Sequence, residues 1–154
     1  MLKEIYEKLE YRKMITPKVA KEVIENKQNE LGVKFPEVMV EFYEYYGNDD
    51  NILLSDFELD KVENLVIEDG TLCFGYENQR NKRLGIKLDR LDTKSTSVSF
   101  KGYNDDTWFN EDESASTFFF YTACWQLMMS MQGVVRVEVD DKQFKSLLEM
   151  RLNI

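Results

Sequence analysis

The side chains that do most enzyme chemistry near neutral pH are scarce in this chain. It has 154 residues and no histidine. That removes the usual general acid/base, the commonest metal ligand and any Ser-His or Cys-His nucleophile pair. Its two cysteines, Cys73 and Cys124, each sit in an apolar run and are expected to be buried thiols. Two cysteines form no disulfide framework and no zinc site unless carboxylates complete it. Carboxylates are plentiful, but no pair stands out for glycoside chemistry, and no glycine-rich phosphate loop is present. The expectation is a protein that binds rather than catalyses, with no cofactor and no metal.

The chemistry on offer is charge. The formal net charge is -9, from 20 basic and 29 acidic residues, a poor balance for neutralising phosphates and hence for nucleic-acid binding. The excess is local. Residues 48–75 hold 8 acids and 1 base, and residues 103–113 hold 5 acids and no base, whereas residues 76–102 hold 7 bases and 3 acids. The run Asp105-Asp106-Thr107-Trp108-Phe109-Asn110-Glu111-Asp112-Glu113 is the most suggestive. It reads either as a contact for a basic partner with Trp108 as anchor, or as a solvated loop with Trp108 packed on the sheet. Its spacing fits no EF-hand calcium loop. Asp49 and Asp50 either extend the acidic face or form a polar turn. Tyr43, Tyr45 and Tyr46 occupy neighbouring helical positions, so not all three are expected to face the core. Tyr45 is the one expected at the surface, adhesive or simply exposed. Glu77-Asn78-Gln79 reads as a hydrogen-bonded turn.

These residues need elements to carry them. Leu2, Ile5, Tyr6 and Leu9 have helical spacing. Thr16-Pro17 looks like a helix start leading to Leu31, with Gly32 closing it. Pro36 opens a second helix, Glu37–Tyr46, and Gly47 ends it. Asn51–Ser55 is a candidate short strand. Asn64–Glu68 and Thr71–Tyr76 flank Asp69-Gly70, a two-residue hairpin signal. Leu84–Leu88 and Thr96–Phe100 read as further strands, and the 105–113 run as a loop. Ser114 caps a largely apolar helix to Met131, ended by Gly133. Val134–Val139 is a possible last strand, and Asp140 begins a terminal helix. Helices, then strands, then helices predict one α+β domain: N-terminal helices and a central antiparallel sheet of four to six strands, packed by a long buried helix and a C-terminal helix. With 43% hydrophobic residues, a chain this long can bury roughly 68–70% of its unfolded surface. No signal peptide or membrane-length apolar run is evident, so a cytoplasmic protein is expected.

Several segments, in order, resemble the SUKH superfamily, which includes yeast Smi/Knr-type cell-wall regulators and bacterial immunity proteins. They are Glu30-Leu31-Gly32 with Phe35-Pro36, Phe42-Tyr43 with Gly47, Leu72-Cys73-Phe74, Glu77-Asn78-Gln79, Leu84-Gly85-Ile86, Trp108, Phe118-Phe119 and Trp125-Gln126. The resemblance spans about residues 16–130. It departs at Lys94-Ser95-Thr96, where the family often has Asp-Pro, and gives no guide to 134–154. It implies an α+β fold and, for a bacterial member, an immunity protein that neutralises a toxin domain, commonly a nuclease. The expected partner is therefore a basic protein, with no nucleic acid and no membrane, and the chain itself a monomer or weak homodimer. The other function it implies is a regulatory or scaffolding module like the yeast regulators.

Overall fold

The computed structural model describes residues 2–11, 17–54, 57–77, 79–91 and 96–130. Among these residues five α-helices and six strands follow one another: α1 (Leu2–Tyr11), α2 (Lys21–Leu31), α3 (Glu37–Tyr46), α4 (Asp50–Leu53), β1 (Phe57–Leu59), β2 (Val66–Glu68), β3 (Thr71–Glu77), β4 (Lys82–Lys87), β5 (Ser97–Gly102), β6 (Phe109–Ser114) and α5 (Ala115–Ser130). This is the α+β class expected. The sheet is antiparallel throughout, in the order β1-β3-β4-β5-β6, with β2 also paired to β3. The last-strand and terminal-helix expectations, together with Thr16 and Gly133, fall outside the described residues.

The helical punctuation works where a cap or a backbone demand is local. Gly32 sits at φ +67°, and its N–H and that of Val33 close α2 on the carbonyls of Asn29 and Gln28. α2 nevertheless starts at Lys21 rather than at Thr16-Pro17. Val19 is drawn into the core, and its N–H donates to the Glu44 carbonyl of α3 at 3.0 Å. That tertiary bond holds residues 17–20 extended along α3 and delays the helix. Val19 Cγ2 lies 3.0 Å from where a Cβ on Gly47 would stand, and the Tyr43 carbonyl closer still, so the end of α3 admits only glycine.

α3 has no solvent face wide enough for Tyr45. Its ring lies 5.2 Å from Tyr6 of α1, the Lys18 ammonium sits 4.4 Å over it, and it is only 7% exposed. The expected surface tyrosine is therefore a packing residue. α3 is covered on more than one side, so the limit of one buried stripe does not apply to it.

The segment expected as a strand at Asn51–Ser55 is instead the short helix α4. Asp49 caps it, its Oδ1 accepting the Asn51 N–H at 3.0 Å. Asp49 is only 4% exposed, so it is not part of an acidic face.

The Asp69-Gly70 hairpin forms as expected, with φ +50° and +71°, the two left-handed residues that such a turn requires. β3, β4 and β5 form the centre of the sheet. Leu72 pairs with Ile86, and Leu84 with Phe100. Their inner face meets α5. Rings run continuously from Phe42 of α3 to Phe119 (5.1 Å), Phe74 (5.2 Å), Phe118 (5.6 Å) and Phe57 (5.5 Å). Ser114 caps α5, its Oγ accepting the Thr117 N–H at 3.1 Å. The acidic run is not all loop: from Phe109 it pairs with β5 and becomes the edge strand β6.

α5 also closes the far edge of the sheet. Buried Gln126 donates to the carbonyls of Ile52 (2.9 Å) and Phe57 (3.0 Å), and its Oε1 accepts the Phe57 N–H at 3.3 Å. One side-chain amide thus satisfies both backbone groups of Phe57, as a neighbouring strand would.

Candidate functional site

Most acids of the 48–75 segment are matched. Asp50 pairs with Lys61 (2.9 Å), Asp60 with Arg83 (2.9 Å), Asp69 with Lys101 (2.8 Å), and Glu58 accepts from Arg80 Nε at 2.6 Å. Glu68 stands 3.9 Å from Arg83. Register explains the matching: Glu58 opposes Tyr76, Tyr76 opposes Arg83, and Arg83 opposes Lys101. The basic segment 76–102 thus supplies the partners for the acids on β1 and the β2–β3 hairpin. Arg83 stacks 4.2 Å over Tyr76, and Arg80 lies 5.7 Å from the same ring. These side chains, with Glu68, Lys101 and Tyr103, line a shallow concavity of about 170 Å³ on the face of the sheet away from α5. Its cations are already engaged by carboxylates, so it is a surface of paired charge rather than an anion site.

At the β5–β6 end, Asp105 and Asp106 form no ion pair among the described residues. The chain turns at residues 103–108. Asp105 builds that turn: its N–H donates to the Gly102 carbonyl at 3.0 Å, and its Oδ2 accepts the Gly102 N–H at 3.1 Å. A side chain on Gly102 would collide with the Asp105 carboxylate. Asp106 is exposed and acts electrostatically on Lys101, helping to raise the lysine's pKa behind the larger effect of Asp69. Glu111, Asp112 and Glu113 follow on the backbone of β6.

Trp108 is not an open anchor. Its Cη2 lies 3.3 Å from where a Gly85 Cβ would stand, which places the indole on the outer face of the sheet, over the one residue there without a side chain. Its Nε1 is buried without a hydrogen-bond partner among the described residues. The indole fixes the hairpin to the sheet. The aromatics that the tip exposes are Tyr103, 87% exposed, and Phe109, 47% exposed. Sequence reasoning passed over both, because neither lies on a periodic apolar face. The only available signal was that both flank the acidic turn.

The sites expected from sequence therefore separate. Asp105, Asp106, Trp108 and the β6 acids gather at one edge of the sheet. Asp49 and Tyr45 are interior, and Asp50 is an exposed residue at the start of α4, paired with Lys61.

Both cysteines are free. Burial pushes the thiols of Cys73 and Cys124 up to about 11, so neither is a ready nucleophile. Among the described residues, no group of three or more His, Cys, Asp or Glu side chains is placed to hold a metal ion, and no helix is long and apolar enough to cross a membrane.

Fold and surface together define an α+β domain whose six-stranded antiparallel sheet ends in an acidic edge. No family model, no curated protein and no solved structure matches the chain.

Proposed function

We propose that this chain is an immunity protein of the SUKH type, which acts in the bacterial cytoplasm by binding and neutralising a cognate toxin domain. The observation that carries the reading is the placement of the acidic residues along the chain and the sheet. Acids of the 48–75 segment are taken up by Lys61, Arg80, Arg83 and Lys101, whereas the five acids of residues 103–113 lie on the turn and edge strand with no base in that segment. Exposed Tyr103 precedes them, and exposed Phe109 lies between Asp106 and Glu111. Aromatic anchors within a charged surround are the composition of a protein-binding hot spot. A nuclease must present cations to hold phosphates, so the partner class that fits is a nuclease toxin with a basic active-site surface. The acidic edge occupies that surface in place of nucleic acid, and no catalytic step is required of the immunity protein.

The test is co-expression with the toxin domain encoded beside this gene. Growth should be restored, and the two purified proteins should co-elute as a complex. A toxin that still kills, with no association between the purified proteins, contradicts the proposal.

A further inference from the structure

The two acidic segments of the sequence meet at one ammonium. Lys101 of β5 reaches the turn between β2 and β3, where its Nζ lies 2.8 Å from Asp69 Oδ2. Asp106, from the β5–β6 turn, and Glu68 act electrostatically on the same ammonium. Glu68, Lys101 and Tyr103 all line the concavity of about 170 Å³. Its wall thus runs from the β2–β3 hairpin to the exposed ring of Tyr103. A cation is already seated among these groups, and it is the chain's own.

We propose that Lys101 holds, in the free chain, the place that an arginine of the partner takes in the complex. The partner's guanidinium replaces the Lys101 ammonium on Asp69 and lies against Tyr103. The proposal rests on the reading of this chain as a binder of a basic protein and specifies which contact selects that protein. Exposure and geometry decide which of the chain's ion pairs can exchange. Arg83 is fixed: its side chain is 11% exposed, stacked on Tyr76 and paired with Asp60. Arg80 holds Glu58 through both Nε and Nη2, the stronger two-point geometry. Lys61 pairs with Asp50 on α4, which packs beside β1 at the other edge of the sheet. Lys101 meets Asp69, a carboxylate 67% exposed, through one short contact. An exposed pair of this kind is worth about five-fold or less in an equilibrium, so its displacement costs little. Arginine binds a carboxylate at two points and stacks on aromatic rings, which gives it the advantage over lysine in this seat. The ring that shares the concavity is Tyr103, which is 87% exposed and held from behind by its N–H on the Asn81 carbonyl at 2.9 Å.

The probe is a capped tri-arginine peptide added to the full chain. Binding is followed by NMR of the Asp69 carboxyl carbon and the Lys101 Nζ, and by calorimetry. Both signals should shift together as the peptide binds, and a neutral capped tri-citrulline peptide should move neither. Lys101→Gln empties the seat and should bind tri-arginine about three- to ten-fold more tightly. Lys101→Arg refills it and should bind no more tightly than the unsubstituted protein. Lys61→Gln makes the same change in net charge at the other edge and should tighten binding by less than about two-fold. Asp69→Asn added to Lys101→Gln should weaken binding by about ten-fold. Equal tightening by the two glutamine variants would reduce the effect to net charge and overturns the proposal. So does a peptide that leaves the Asp69 and Lys101 signals unmoved, whether or not it binds elsewhere. The same two signals in a toxin complex separate this proposal from the functional one. Neutralisation with the Lys101–Asp69 contact intact defeats the exchange alone. Exchange by the peptide in a chain that rescues no cell defeats the immunity reading alone.

Discussion

Replacing Gln126 with leucine should lower the unfolding free energy by about 3–5 kcal/mol. The substitution preserves size and removes one amide that serves three backbone groups: the Ile52 carbonyl and the Phe57 carbonyl and N–H. Each buried group left without a partner costs roughly 1–3 kcal/mol, and Gln126 is fully buried, so water cannot take its place without opening the α4–α5 contact. For a domain of this size the melting temperature should fall by about 10 °C. Urea unfolding monitored by circular dichroism gives the value directly. A loss below about 1 kcal/mol would mean that Gln126 does not hold the β1 edge.

Alkaline pH should destabilise the protein as it rises from 9.0 towards about 11. Burial raises the Cys73 and Cys124 thiols from an ordinary 9.0 to about 11. The unfolded chain therefore releases these protons first. Their contribution to stability is fully present below pH 9.0 and is lost as pH rises through about 11. Between about pH 8 and about pH 10 each thiol should account for a loss on the order of 1 kcal/mol. Burial also raises the hydroxyls of Tyr43 and Tyr46, and these add a loss of the same sign at the upper end of the range. The urea midpoint should drop over this interval, and the Cys73→Ala/Cys124→Ala double variant should flatten the drop. A midpoint indifferent to pH in the unsubstituted protein would contradict the burial of the two thiols.

What could be read from the sequence was whatever a local rule controls. α3 runs from Glu37 to Tyr46 as expected because Pro36 and Gly47 bracket it. The β2–β3 turn follows from Asp69-Gly70, and the start of α5 from the Ser114 hydroxyl. What escaped depends on tertiary partners. Asp and Glu disfavour strands, so Phe109–Ser114 looked like loop. At a sheet edge those side chains can remain hydrated, and pairing with β5 then decides the conformation. Tyr45 looked exposed because the sequence does not reveal that α1 and Lys18 close over α3. Whether the acids of residues 48–75 extend an acidic face could not be read from sequence because their partners come from far along the chain, 22 residues on for Glu58 with Arg80 and 32 for Asp69 with Lys101. The candidate site was half legible: the 105–113 run was singled out, while exposed Tyr103 and the role of Trp108 as a clamp over Gly85 needed the sheet.

The central claim is that the acidic turn and edge strand recruit a basic toxin. Its most direct test is the association rate with the purified toxin domain across ionic strength. The protein as it stands should be compared with a variant carrying Asp105→Asn, Asp106→Asn, Glu111→Gln, Asp112→Asn and Glu113→Gln. Asparagine at 105 keeps an oxygen to accept the Gly102 N–H, so the turn is retained. The account predicts a rate that falls steeply with added salt and a variant about ten-fold or more slower at low salt, with most of the salt dependence gone. Equal rates for the two proteins, or a rate indifferent to salt, would contradict it.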